Sequence, residues 1–198
     1  MSYQTLKHAV SARLDIKKSE FIAYAYPVTS REQAMFHVER LRVKYADARH
    51  HCWAYIISDP NNTTSAGFDD DGEPNGTAGR PILNVLQHKS IGNVIIIVVR
   101  YFGGIKLGAG GLTRAYAGSA QAAVDEMVLL PYVPMAQVQI IAEFATEAQC
   151  RYVVEDLGGH IDDVTYSKQV TLTVTLAEAD IDHLKERLAM DGRVLESP

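Results

Sequence analysis

"NVIIIVVRYFGGIKLGAGGLTRAY", residues 93–116, decides how this chain folds. Its first third is a continuous β-branched run, the mark of a strand covered on both faces. Five glycines follow between positions 103 and 111. They let the backbone take positive φ and approach another group closely. An Ala-rich stretch over 112–127 then reads as a long helix. A buried strand, a glycine-rich turn and a helix in succession predict a sheet with helices packed on it. The apolar run 94–99 is the longest in the chain. It is far short of the ~20 residues that a membrane-crossing helix needs.

Outward from this unit, the earlier residues alternate strand and helix. "VSARLDI" has the period of a half-buried strand. "KKSE" turns the chain, and "FIAYAYPV" returns. Ser30 opens S-R-E-Q, a capping box, and Ala34, Val38, Leu41 and Tyr45 continue at helical spacing. "CWAYIIS" reads as a further strand, with an acidic loop after it. Thr77 is the expected cap of the next helix, with Pro81 in its first turn and Ile82, Val85 and Leu86 on its apolar face. Pro131 and Pro134 mark a boundary. Beyond it, "AQVQIIAEF", "TEAQCRYVVEDLGG", "HIDDVTYS", "VTLTVTL", "AEADIDHLKERLAMDG" and "RVLE" give the order β-α-β-β-α-β, a split β-α-β pattern. The expected domains are residues 1–133 and 134–198.

The 198 residues are 47% apolar and 22% charged, which allows a sizeable core. Charge is uneven: residues 1–137 carry +2 and residues 138–198 carry −7. Phosphate-backbone affinity comes mainly from Lys and Arg, so the acidic second unit is not expected to bind nucleic acid unaided. "MSYQTLKHAV" lacks a basic segment followed by an apolar one, so no secretory leader is expected. Cys52 and Cys150 stand apart with no CxxC. A reduced, cytoplasmic setting follows.

Three stretches carry residues capable of chemistry. "GFDDDGEPNGTAGRP", residues 67–81, concentrates Asp69, Asp70, Asp71 and Glu73 among turn-formers. A calcium loop with Gly72 in sixth place would start at Gly67 and end at Ala78, neither of which is a ligand. A solvated or hydrogen-bonded turn is therefore expected ahead of a metal site. The glycine-rich turn is either a tight packing device or an anion site at a helix start, with Arg100, Lys106 and Arg114 nearby. It lacks the Lys of a P-loop and the third glycine of a dinucleotide fingerprint. In "DARHHCWAY", His50 and Cys52 fall on one strand face and His51 on the other. A buried Cys and hydrogen-bonded His residues are expected there.

"DARHHCWAY", "GFDDDGEPNGTAGRPIL" and "VVRYFGGIKLGAGGLTRAY", in this order, resemble the IMPACT family, and the layout resembles its bacterial YigZ branch. Asp69 stands where the family usually has Ser. The resemblance implies a two-domain α+β fold. Its first domain would be like the second domain of a small-subunit ribosomal protein, and its second, ferredoxin-like, like the last domain of elongation factor G. Eukaryotic IMPACT relatives regulate translation by binding the activator of a stress kinase. Bacteria lack that pathway, so that partner does not carry over.

The resemblance supplies no catalytic residue, no cofactor and no resident metal. Its motifs fall on His50, His51, Asp70, Asp71, Glu73, Arg100, Gly103, Gly104, Gly108 and Gly111. With Arg80, Lys106 and Arg114, these are the candidate binding surface. The expected function is that of a non-enzymatic regulatory protein binding a protein partner or RNA of the ribosome, away from any membrane. The acidic turn would form one rim and Arg80 would supply opposite charge. The alternative is a phosphate-ligand binder or magnesium-dependent enzyme using the same two loops.

Overall fold

The structure is a computed structural model that describes residues 3–61 and 65–196. The chain divides into two units, Met1–Tyr132 and Val133–Pro198. The break lies one residue before the expected one. Pro131 is not in the linker but inside a short strand.

The first unit is built on a five-stranded sheet. Its strands are β2 (Val10–Ile16), β3 (Ser19–Pro27), β4 (His50–Ile56), β5 (Ala66–Asp69) and β7 (Val94–Tyr101), in the order β2-β3-β7-β4-β5. Every pairing is antiparallel. The β-branched run is the central strand, and residues 94–99 are fully buried. Helices α2 (Gly79–His88) and α3 (Ala109–Asp125) cover one face, where Cys52, Ile82, Leu86, Ile96, Val98 and Tyr116 share a core. Helix α1 (Arg31–Lys44) covers the other through Ala34, Val38 and Leu41 against Tyr55, Ile95 and Ile97. Both faces of β7 are thus dry, so no polar residue interrupts it between Val94 and Val99. Each buried Val or Ile contributes about 1.5–3 kcal/mol.

The α1 cap forms as its sequence predicts: Ser30 Oγ accepts from Gln33 N at 3.3 Å. Gln33 reaches back one residue further than a standard box, to Thr29 N at 2.8 Å. A second, three-stranded sheet combines β1 (Tyr3–Leu6) with β6 (Ile91–Gly92) in parallel and β8 (Leu129–Tyr132) antiparallel. Its strands are too short for a periodic signal, and β5 was equally hidden inside the acidic loop.

The second unit places β9 (Met135–Ala142), α4 (Glu147–Asp156), β10 (His160–Tyr166), β11 (Val170–Ala177), α5 (Ile181–Arg187) and β12 (Gly192–Glu196) in sequence. The strands order as β10-β11-β9-β12, all antiparallel. Cys150, Val153, Leu172, Val174 and Leu184 lie in its core. Among the described residues no helix is long and apolar enough to cross a membrane.

Candidate functional site

The acidic turn follows β5 and leads into α2. Asp70 points inward and does the work expected of Thr77. Its Oδ1 accepts from Ala78 N at 2.9 Å and Gly79 N at 2.8 Å, and its Oδ2 from Gly76 N at 2.7 Å. A carboxylate here satisfies free N–H groups at the start of α2 and complements its dipole. Thr77 instead donates to Pro74 O at 2.6 Å. Asp71, at φ +41°, ties the turn to two other elements. Its Oδ1 accepts from Arg42 of α1 at 3.0 Å, and its Oδ2 from His51 N at 2.6 Å.

Asp70 and Asp71 therefore have structural donors on their oxygens. A magnesium ion bound there would have to share oxygens that already accept these bonds. Among the described residues no group of three or more His, Cys, Asp or Glu is arranged to hold a metal ion. Gly79 permits the close approach of α2 to β5, since a Cβ there would lie 2.6 Å from Asp69 O.

Glu73 faces elsewhere. Its carboxylate is 5% exposed and accepts from Arg100 Nη1 at 2.5 Å and Tyr116 Oη at 2.8 Å. Arg100, at the end of β7, is 6% exposed and also lies over the Phe21 and Phe102 rings. Burying this pair costs desolvation that only close contact and added hydrogen bonds offset; the Tyr116 hydroxyl supplies one. Arg100 Nε has no hydrogen-bond partner among the described residues. Cys52 lies beneath, its Sγ 3.0 Å from Asp70 O and 3.3 Å from Tyr116 Oη. Burial pushes the Cys52 thiol and the Tyr116 phenol well above their ordinary pKa values, so both stay protonated. A nucleophilic Cys52 is thereby disfavoured.

His50 and His51 part company as strand alternation requires. His51 is buried on the α1 side, where burial and Arg42 lower its pKa against the opposing pull of Asp71. His50 turns toward Glu73. Its Nδ1 lies 2.8 Å from Asp71 O. A carbonyl can only accept, so Nδ1 donates in this contact. Nε2 sits 4.0 Å from Glu73 Oε1.

These groups floor a cleft of about 350 Å³ lined by Arg49, His50, Glu73, Arg100, Phe102, Lys106 and the start of α3 at Gly108 and Ala109. Arg49 and Lys106 are exposed and make no ion pair among the described residues. Gly108, at φ +71°, precedes α3 without a side-chain cap. The acidic and glycine-rich turns thus meet, through Glu73 on one side and Lys106 with Gly108 on the other.

The remaining candidates lie apart from this cleft. Arg80 is exposed on α2 and does not line it, so it supplies no opposite rim. Gly111 and Arg114 line a neighbouring cavity with Ile16 and Lys17. Gly103 is a packing glycine: a Cβ there would fall 1.9 Å from Lys18 O, and its N–H donates to Ser19 Oγ at 3.2 Å. Gly104 supplies a turn at φ +85°. Arg49, Phe102 and Tyr116 escaped sequence reasoning. All three lie within the quoted motifs, and Arg49, in "DARHHCWAY", also has the right charge.

Comparison with known proteins agrees with this architecture. The Impact N-terminal domain model matches residues 17–124, and a second model, Domain of unknown function (DUF1949), matches residues 140–189. The chain is 35% identical to IMPACT family member YigZ of Escherichia coli, over 88% of this chain and 86% of that one. It is 31% identical to IMPACT family member YvyE of Bacillus subtilis, over 93% and 84%. A solved structure titled as that of a hypothetical protein superposes with a TM-score of 0.75 at 32% identity, covering 100% of this chain and 98% of the other. With a family model spanning more than half of its residues and two relatives alike across most of their length, the chain belongs to the IMPACT family.

Proposed function

We propose that this chain is a non-enzymatic binding protein acting around translation in the cytoplasm, and that its cleft takes an anionic partner, RNA of the ribosome. Family membership supports the setting, because eukaryotic IMPACT relatives regulate translation. One observation carries the choice of surface. The single carboxylate in the cleft is already neutralised by Arg100, while Arg49 and Lys106 stand exposed beside the open start of α3. Such an arrangement attracts negative charge.

The second unit fits a different role. The sheet face opposite its core displays Gln137, Gln139, Thr171, Thr173 and Thr175, with Asp162 accepting from Gln137 and Thr175. That face, which also carries Ile141, is mostly polar and sits in a unit of net charge −7. Phosphate contact therefore falls to the first unit. The same reading sets the first unit beside the second domain of a small-subunit ribosomal protein. It sets the β-α-β-β-α-β unit beside the last domain of elongation factor G.

The test is co-sedimentation of the full chain with ribosomal subunits across a salt series. Binding through phosphates falls steeply as salt rises. Binding indifferent to salt rejects RNA and leaves a protein partner.

A further inference from the structure

The cleft lining has two chemical characters, and the reading of it as an anion-binding surface can be deepened from them. Arg49, Lys106 and the start of α3, whose first N–H groups are free of side-chain caps, are suited to negative charge. Phe102, 47% exposed, with Leu107 and Leu112, offers aromatic and apolar surface. Arg100 lies beside Phe102: it is buried, its guanidinium carbon is 5.6 Å from the Phe102 ring centroid, and its Nε has no hydrogen-bond partner among the described residues. The volume of about 350 Å³ is at the small end for ligand sites. A bare phosphate would leave the aromatic and apolar lining uncovered. An apolar peptide would leave Arg49 and Lys106 unmatched.

We infer that this cleft binds one nucleotide unit, its phosphate held by Lys106, Arg49 and the α3 start and its base laid against Phe102. This rests on the proposed anionic partner and names its repeating chemistry. Stacking on an aromatic ring accepts any base, because every base has a π-face. The site is then a sequence-tolerant nucleotide subsite. The unit comes either from single-stranded RNA or from a free nucleotide, and both present the same phosphate and base. His50, on the cleft wall, is placed to hydrogen-bond a ribose hydroxyl through Nε2.

The experiment titrates the full-length protein into a fluorescein-labelled short oligoadenylate, and separately competes with AMP and with inorganic phosphate at millimolar concentration. Wild type is compared with Phe102→Ala and Lys106→Ala, with melting curves showing that each variant is folded. The expected result is binding weakened about fivefold or more by Phe102→Ala, and a salt slope reduced by about 0.7 in Lys106→Ala. Competition by AMP well beyond that of phosphate assigns a free nucleotide; binding of the oligonucleotide alone assigns RNA.

The proposal is overturned if phosphate competes as well as AMP, if neither variant weakens binding, or if nothing binds. Ribosome co-sedimentation that falls with salt alongside such a result would leave the broader reading standing and remove only the nucleotide.

Discussion

Replacing Asp70 by Ala should destabilise the first unit severely, although Asp70 sits in an acidic surface turn. The carboxylate accepts from three backbone N–H groups, of Gly76, Ala78 and Gly79, at 2.7–2.9 Å. A hydrogen bond to a charged group contributes about 1.5–3 kcal/mol, and loss of a helix cap alone costs about 0.5–2 kcal/mol. Ala78 and Gly79 are buried, so water cannot fully replace the lost acceptor. The three bonds share one group and do not add in full, which places Asp70→Ala at about 3–5 kcal/mol. Asp70→Asn keeps one oxygen for Ala78 and Gly79 but sets an amide against the Gly76 N–H, and should cost about 1–2 kcal/mol.

The assay is urea unfolding followed by Trp53, the only tryptophan in the chain, which packs in the first unit. A loss below about 1 kcal/mol in Asp70→Ala would refute the capping role. So would a wild type stabilised by magnesium to an extent that Asp70→Ala abolishes, because Asp70 would then be a metal ligand.

Other perturbations follow from the same geometry. Glu73→Ala leaves Arg100 charged and buried, and should cost about 3–5 kcal/mol in urea unfolding, whereas Glu73→Ala with Arg100→Leu should recover part of that loss. Gly103→Ala should prevent folding of the first unit or shift its melting steeply, because the added Cβ meets Lys18 backbone. Gly104→Ala has open space, and pays only for φ +85°, about 1 kcal/mol. His51 binds its proton less readily folded than unfolded, mainly through burial. Stability should be fully present above its ordinary pKa of 6.5 and fall as pH drops below it, by at most about 1.4 kcal/mol per pH unit for one proton. His51→Gln should flatten that part of a stability-against-pH curve, and an unchanged curve would exclude His51 as its source.

Much of the fold could be read from sequence because its strong signals are periodic. The run at 94–99, the capping box at Ser30 and the alternation of "VTLTVTL" each mark an element that the structure contains. The strands that went unread, β1, β5, β6 and β8, have two to four residues and exist through tertiary pairing. Within the site, the strand faces of His50, His51 and Cys52 followed from alternation alone. The fate of the carboxylates did not. Asp70, Asp71 and Glu73 lie within four positions, yet one caps a helix, one braces α1 and β4, and one pairs with Arg100. Those roles depend on groups six or more residues away in sequence, which spacing does not encode. Arg80 failed as a rim for the same reason: charge was legible, but the direction of its helix position was not.

The measurement that bears most directly on the cleft as the contact surface is ribosomal co-sedimentation of a charge-reversed protein, Arg49→Glu with Lys106→Glu, beside Arg80→Glu as control. All three positions are exposed and outside any ion pair among the described residues, so folding should be unaffected. Loss of binding in the double variant, with Arg80→Glu close to wild type, is the predicted result. Equal loss in both would reduce the attraction to general charge, and full binding by the double variant would place the contact somewhere other than this cleft.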